Sequence, residues 1–211
     1  LSVNVSIDGV KEKHDKIRQV KGLFEKACDT FKKLQRLEKR YENFSTGISI
    51  TASYFNQDSL LETYFFARDV LRAKRIDVFF VRGMPRDKKA AELNVEKYRE
   101  LVAQIASDIK QKRVGYYGFP FASLVNLKNL IMYEEILNIA KSKQARFPCT
   151  AGRLIGVIFE DGTVAPCELL NEQFGNLRKE GYDFKKIWNS EKAAKIRKKI
   201  SAQRCSCTHE C

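Results

Sequence analysis

The sequence predicts an α/β protein. A body of parallel strands and helices spans residues 1–145, and a small β-hairpin-plus-helix, cysteine-rich module spans residues 146–211. Three observations predict it. Residues 2–8, 46–54 and 76–82 have strand character and are separated by stretches of helical periodicity, an alternation that means parallel pairing through right-handed crossovers. Near residue 147 long helical patterns give way to short strand-like segments around a tight turn. Five of the 6 cysteines (Cys149, Cys167, Cys205, Cys207 and Cys211) crowd the last third of the chain, with Cys28 alone near the start.

Each element follows from its residues. Residues 2–8 (Ser-Val-Asn-Val-Ser-Ile-Asp) alternate and stop at Gly9, which reads as a strand. A short capped turn through His14-Asp15 leads to a helix over 22–42, whose stripe is Phe24, Ala27, Cys28, Phe31, Leu34, Leu37 and Tyr41. Residues 46–54 give a second strand and 58–74 a second helix carrying Leu61, Tyr64, Phe65, Arg68 and Leu71. Ile76 to Val81 is a near-continuous apolar run of the kind buried on both faces of a parallel sheet. Helices over 93–112 and 123–142 follow, joined by the turn-rich Val114-Gly115-Tyr116-Tyr117-Gly118-Phe119-Pro120. Residues 153–159 and 163–167 flank Glu160-Asp161-Gly162, a hairpin signal, and a basic helix over 190–203 leads into Cys205.

Composition narrows the classes. The 211 residues are 44% hydrophobic, too apolar for a disordered tail, and no run of about eighteen apolar residues offers a membrane span. The chain opens at Leu1 without methionine or any basic-then-apolar leader, so it reads as a piece cut inside a longer cytoplasmic protein. A net charge of +13 suggests an anionic partner. The aromatics sit at core spacing and make no stacking platform, which argues against nucleic acid. The run Lys192, Lys195, Arg197, Lys198, Lys199 and Arg204 reads as a solvated helix face, with offset of cluster and thiolate charge as the alternative.

The cysteines carry the chemistry. In a reducing compartment, clustered thiols bind metal more often than they pair. Cys149 and Cys167 stand at the two ends of the expected hairpin, so they can meet at one metal; Cys205-Ser206-Cys207-Thr208-His209-Glu210-Cys211 brings three more thiols after a helix. Thiolates converging from two distant segments suit zinc or an iron–sulfur cluster, and spacing alone leaves both open. Reduced cysteines filling a small core are the plainer alternative. Cys28, on its helix stripe, is a core residue.

Cys149, twelve residues, Gly162, four residues and Cys167 resemble the opening of the SPASM or twitch auxiliary-cluster module of radical SAM enzymes. Gly175-Asn176-Leu177 and Ile187-Trp188-Asn189-Ser190 resemble the segments that follow in such modules. In the body, Val5-Ser6-Ile7-Asp8-Gly9 with His14-Asp15 and Arg18 resembles the fourth strand of the radical SAM partial barrel, Ile50-Thr51 with Asn56 the fifth, and residues 76–82 the sixth. The resemblance implies a partial (β/α) barrel fragment and an auxiliary 4Fe-4S cluster on Cys149, Cys167, Cys205, Cys207 and Cys211. Ser6, Asp8, Thr51, Asn56 and Arg82 would lie near S-adenosyl-L-methionine (SAM).

The family's Cys-x3-Cys-x2-Cys and its glycine-rich methionine-binding segment are absent, and both are expected upstream of Leu1. A second 4Fe-4S cluster there would reduce SAM to a 5′-deoxyadenosyl radical that takes hydrogen from a substrate, often a peptide or protein side chain, with an electron donor as partner. The 211 residues alone are then expected to be inactive. The terminal Cys-x-Cys-x3-Cys is tighter than the family's Cys-x2-Cys-x5-Cys-x3-Cys, which favours one auxiliary cluster over two. Locally, Asp8 also suits a strand-end turn, Thr51, Asn56 and Arg82 suit strand termini, and His14, Asp15 and Arg18 suit capping and packing. His209 is an unusual ligand where thiolates suffice. The rival from another class is a zinc-stabilised basic module that binds nucleic acid or an acidic protein.

Overall fold

The computed structural model describes residues 1–83, 85–115, 117, 121–202 and 207–208. The chain forms two compact units, Leu1–Lys141 and Ser142–Cys211.

In the first unit, strands β1 (Ser2–Ser6), β2 (Ser45–Ala52) and β3 (Ile76–Phe80) form a parallel sheet in the order β1-β2-β3. The register runs from Ser2↔Ser45 to Ser6↔Ser49 and from Ile48↔Ile76 to Ala52↔Phe80. That register aligns Val5, Ile48 and Ile76 on one face; on it Ile7, Ile48, Ile50 and Val78 are buried against Phe31, Leu60, Tyr64 and Leu101 from the helices. The opposite face is polar: Ser6, Ser49 and Asp77 lie in one row across it. β3 therefore alternates between buried and half-buried positions, because Asp77 and Phe79 face the polar side; it is not sealed on both faces as its composition suggests.

Where the sequence suggests only a capped turn, α1 (Glu12–Arg18) is a seven-residue helix. Its Asp15 carboxylate accepts the amides of Gly22 (2.5 Å) and Phe24 (2.8 Å), so one helix caps the next. Those amides hold the Asp15 carboxyl below its usual range. α2 (Leu23–Glu38) ends four residues short of the expected 42. Glu38 accepts the Thr46 amide and the chain turns into β2, which leaves Tyr41 exposed.

The expected helix over 58–74 is three pieces: a 3₁₀ turn at Gln57–Ser59, α3 (Leu60–Phe65) and a π-helical turn at Phe66–Val70. Arg68 on that turn reaches Asp108 of α4 (Val95–Lys110) at 2.5 Å. Asp108 is fully buried and also accepts from Tyr64 (2.7 Å), Gln104 (2.9 Å) and Arg113 (2.9 Å). Burial works against its ionisation, but the Arg68 and Tyr64 bonds and the two guanidinium charges outweigh it and hold Asp108 low. α5 (Ala122–Ser142) completes the unit and buries Ile136 and Leu137.

The second unit is a three-stranded antiparallel sheet with two helices, so it exceeds the expected hairpin and helix. β4 (Val157–Ile158) pairs with β5 (Thr163–Ala165) across the Asp161-Gly162 turn, and β6 (Gly175–Asn176) adds to the other side of β5. Gly162 takes φ +87°, and the Asp161 carboxylate accepts both the amide (2.8 Å) and the hydroxyl (2.9 Å) of Thr163. α6 (Phe184–Trp188) is capped by Asp183, which accepts the Lys186 amide at 3.0 Å, and α7 (Glu191–Ala202) follows. Val164, Phe174, Ile187, Ala193, Ile196 and Ile200 form the core together with Ala151 and Cys167.

Candidate functional site

In the second unit, Cys167 follows β5 and is 7% exposed within the core, while the half-buried Cys149 packs against the same core. Both are free thiols. Cys149 is not simply the near end of a hairpin. A turn intervenes, in which the Thr150 carbonyl accepts from Arg153 and Leu154, both at 3.0 Å, and Ala151 bridges Ile155. Gly152, at φ +72°, then donates its amide to the carbonyls of Ile155 (2.8 Å) and Pro166 (3.2 Å). That second bond ties the Cys149 turn to the neighbour of Cys167. A Cβ at Gly152 would meet Phe174 at 2.8 Å and Pro166 at 3.1 Å, so only glycine allows this approach. The Cys167 sulfur accepts the Leu169 amide at 3.3 Å, the kind of bond that tunes a cluster's potential.

Cys207 is half-buried; Cys205, His209 and Cys211 lie outside the described residues. Among the described residues no three Cys, His, Asp or Glu side chains form a metal cage, and two of the five module cysteines are not among those residues. The donors that are described fit an iron–sulfur cluster: free thiols from two separate segments share one small apolar core.

In the first unit, five residues marked by the sequence, Asp8, His14, Arg18, Thr51 and Asn56, converge at the carboxyl ends of β1 and β2. Asp8, buried just past β1, accepts the Thr51 amide (2.8 Å) on one carboxylate oxygen and the Arg18 guanidinium (2.5 Å) on the other. The Asp8 amide donates to His14 Nδ1 at 3.1 Å, which leaves the proton on Nε2, a buried atom with no partner among the described residues. Burial chiefly holds the His14 imidazole below its usual value. Asn56 is fully buried. Its amide donates to the carbonyls of Asp8 (2.9 Å) and Thr51 (2.8 Å), while its oxygen accepts from the Ser53 amide (2.8 Å) and hydroxyl (3.2 Å). With both carboxylate oxygens of Asp8 and all four sites of Asn56 engaged, these side chains fix the two strand ends against each other.

Ser6 differs: among the described residues its exposed hydroxyl meets only that of Ser49, at 3.2 Å. Arg82 lies beyond β3 with its guanidinium 5.9 Å from the Phe79 ring centre. Sequence reasoning did not single out Asn4, Ser49, Arg75 or Asp77. On the polar face Asn4 donates to Asp77 (2.8 Å) and accepts from Arg75, which also pairs with Asp77 at 3.4 Å. The alternation of residues 2–8 and 46–54 carried the signal for this face.

Residues 149–211 match the family model of SPASM, an iron–sulfur cluster-binding domain. Among solved structures, the hexahistidine-tagged, AdoMet-bound form of anSMEcpe, an anaerobic sulfatase-maturating enzyme, aligns with a TM-score of 0.56 at 15% identity; the alignment covers 92% of this chain and 49% of that one. Native anSMEcpe with bound AdoMet gives 0.54 at 15% identity, over 92% and 51% of the two chains. The same enzyme with AdoMet and the Kp18Cys peptide gives 0.53 at 15% identity, over 92% and 52%. The chain thus spans about half the length of the solved structures it matches. Among curated proteins there is no match. Residues 149–211 thus match a SPASM iron–sulfur cluster-binding domain, and the chain has the fold of the AdoMet-bound anSMEcpe structures over 92% of its length.

Proposed function

We propose that this chain is the C-terminal part of a cytoplasmic radical SAM enzyme whose module holds one auxiliary 4Fe-4S cluster, with Cys149, Cys167, Cys211 and one of Cys205 and Cys207 as thiolate donors. The observation that carries this reading is the coincidence of the SPASM match over 149–211 with two free thiols, Cys149 and Cys167, in one core. The complete enzyme's SAM and clusters supply radical chemistry that abstracts hydrogen from the substrate. The residues of this chain supply position. The polar face presents Ser6 and Ser49 toward SAM, and Arg82 stands at the carboxyl end of the neighbouring strand. Asp8, Thr51 and Asn56 hold the strand ends that form the rim. Peptide-bound anSMEcpe supports a peptide or protein side chain as substrate class, with an electron donor as partner.

Anaerobic reconstitution with iron and sulfide tests the reading. The chain should turn brown with about four irons per polypeptide. Cys149→Ala, Cys167→Ala and Cys211→Ala should each abolish loading, whereas Cys205→Ala or Cys207→Ala alone should leave a measurable cluster absorption. Full iron loading in Cys167→Ala, or a colourless protein with a single zinc, would remove the cluster from this module. The 211 residues alone should form no 5′-deoxyadenosine from SAM and reductant.

A further inference from the structure

Arg197 lies half-buried on α7, within what the sequence presents as a single basic run from Lys192 to Arg204. Its guanidinium is flanked by two rings, 5.2 Å from the centre of Phe174 and 4.9 Å from that of Trp188. Its Nε donates to the Gly152 carbonyl at 2.5 Å and one terminal nitrogen to the Trp188 carbonyl at 2.6 Å. The two rings meet edge to face, at 80° and 5.3 Å. Charge-assisted bonds to two carbonyls and cation–π contacts with two rings are far more than a solvated arginine makes.

These partners belong to different segments. Gly152 lies three residues after Cys149, and its amide reaches Pro166 beside Cys167. Phe174 precedes β6, Trp188 ends α6, and Arg197 itself is on the helix that precedes Cys205 and Cys207 in the chain. One guanidinium therefore joins the early cysteine turn to the helix that leads to the late cysteines.

We propose that Arg197 is a positioning residue for the iron–sulfur cluster: through Gly152 it sets the Cys149 and Cys167 segments against the helix that delivers the terminal cysteines. The inference rests on the proposed cluster site and names how that site is held. Residues that orient metal ligands from behind cost about 10–100-fold in affinity when lost. Lysine cannot substitute, since one ammonium lacks the planar fork that bonds two carbonyls while staying against the rings.

The test compares Arg197→Lys, Arg197→Gln and wild type in the reconstituted 211-residue chain. In both variants, iron and sulfide retained after a chelator challenge should fall about 10–100-fold, and the electron paramagnetic resonance spectrum of the remaining reduced cluster should change. A guanidinium that only stiffened the module would leave that spectrum unaltered. Wild-type retention and spectrum in Arg197→Gln would overturn the inference, and full rescue by Arg197→Lys would overturn the role of the fork. Circular dichroism of each reconstituted variant guards against one that fails to fold: the proposal expects wild-type secondary structure with weakened iron retention, and loss of iron only in step with lost secondary structure would overturn the positioning role. A wild-type chain that takes up no iron overturns the cluster reading itself, an outcome distinct from iron-loaded variants that match wild type.

Discussion

In the first unit four helices contribute large apolar groups to one core with the sheet: Phe31 from α2, Tyr64 from α3, Ile105 from α4 and Ile136 from α5. The described core of the second unit gathers only eight buried groups, two of them alanines and one the thiol of Cys167. The first unit has ample apolar area to stand by burial. The second places Cys167, a proposed cluster ligand, inside its own core, so binding a cluster would be coupled to folding. The two units also use arginine differently. Arg68 and Arg113 neutralise a buried carboxylate in the first, whereas Arg197 in the second bonds carbonyls and rings.

The largest expected effect breaks the comparison outright. Removing the cluster by chelation or air should open residues 142–211 to proteolysis while 1–141 stays resistant. Equal resistance of the second unit with and without metal would show that its small core suffices.

Next comes the buried carboxylate. Asp108→Ala strips Tyr64, Arg68, Gln104 and Arg113 of their common partner and should cost about 3–5 kcal/mol, the loss typical of breaking a buried pair. Chemical denaturation of the first unit would measure it, and iron loading of the module should not change. Gly152→Ala should cost at least about 1–2 kcal/mol from its left-handed backbone, with the Cβ contact to Phe174 at 2.8 Å adding to that, confined to the module and visible as faster hydrogen exchange there.

The smallest effect concerns pH. Burial lowers the His14 imidazole, so the unfolded chain binds that proton more readily. The stability this contributes is present above about pH 6.5 and is lost as pH falls through the folded value. Asp8, Asp15 and Arg18 face the ring, the two carboxylates opposing the shift and the guanidinium adding to it. His14→Asn should flatten the decline in melting temperature between about pH 7.5 and 5; an unchanged slope would assign that decline to other groups.

Alternation made β1, β2 and the polar face legible in the sequence, and turn chemistry made the Asp161-Gly162 hairpin legible. Periodicity could not find α1, which has seven residues and begins after Lys11 at φ +50°, nor β6, which has only two. The π-helical turn at Phe66–Val70 keeps the apolar spacing of a helix while widening its backbone, so the pattern passed over it. Cysteine spacing put Cys149 and Cys167 at the ends of one expected hairpin, but the turn at 150–155 that ties the Cys149 segment to Pro166 depends on one glycine and a distant arginine. Arg197 was hidden in a basic run because charge alone does not say which cation turns inward. The same limit hid Lys199, which pairs with Glu172. Asp8 and Arg18 were both legible as marked residues, yet their pairing is a tertiary fact that no local spacing states.

Cys28 has a practical consequence. It is buried on α2 in the first unit, and burial pushes its thiol up, away from the reactive thiolate. An alkylating reagent applied to the folded chain should therefore spare it. Of the 6 cysteines in the sequence, the thiols counted by mass spectrometry would then all come from the module. Cys167, at the same 7% exposure as Cys28, would be spared as well, so the gauge of cluster occupancy lies in the other module thiols: each one engaged with iron would be one label missing from the intact mass.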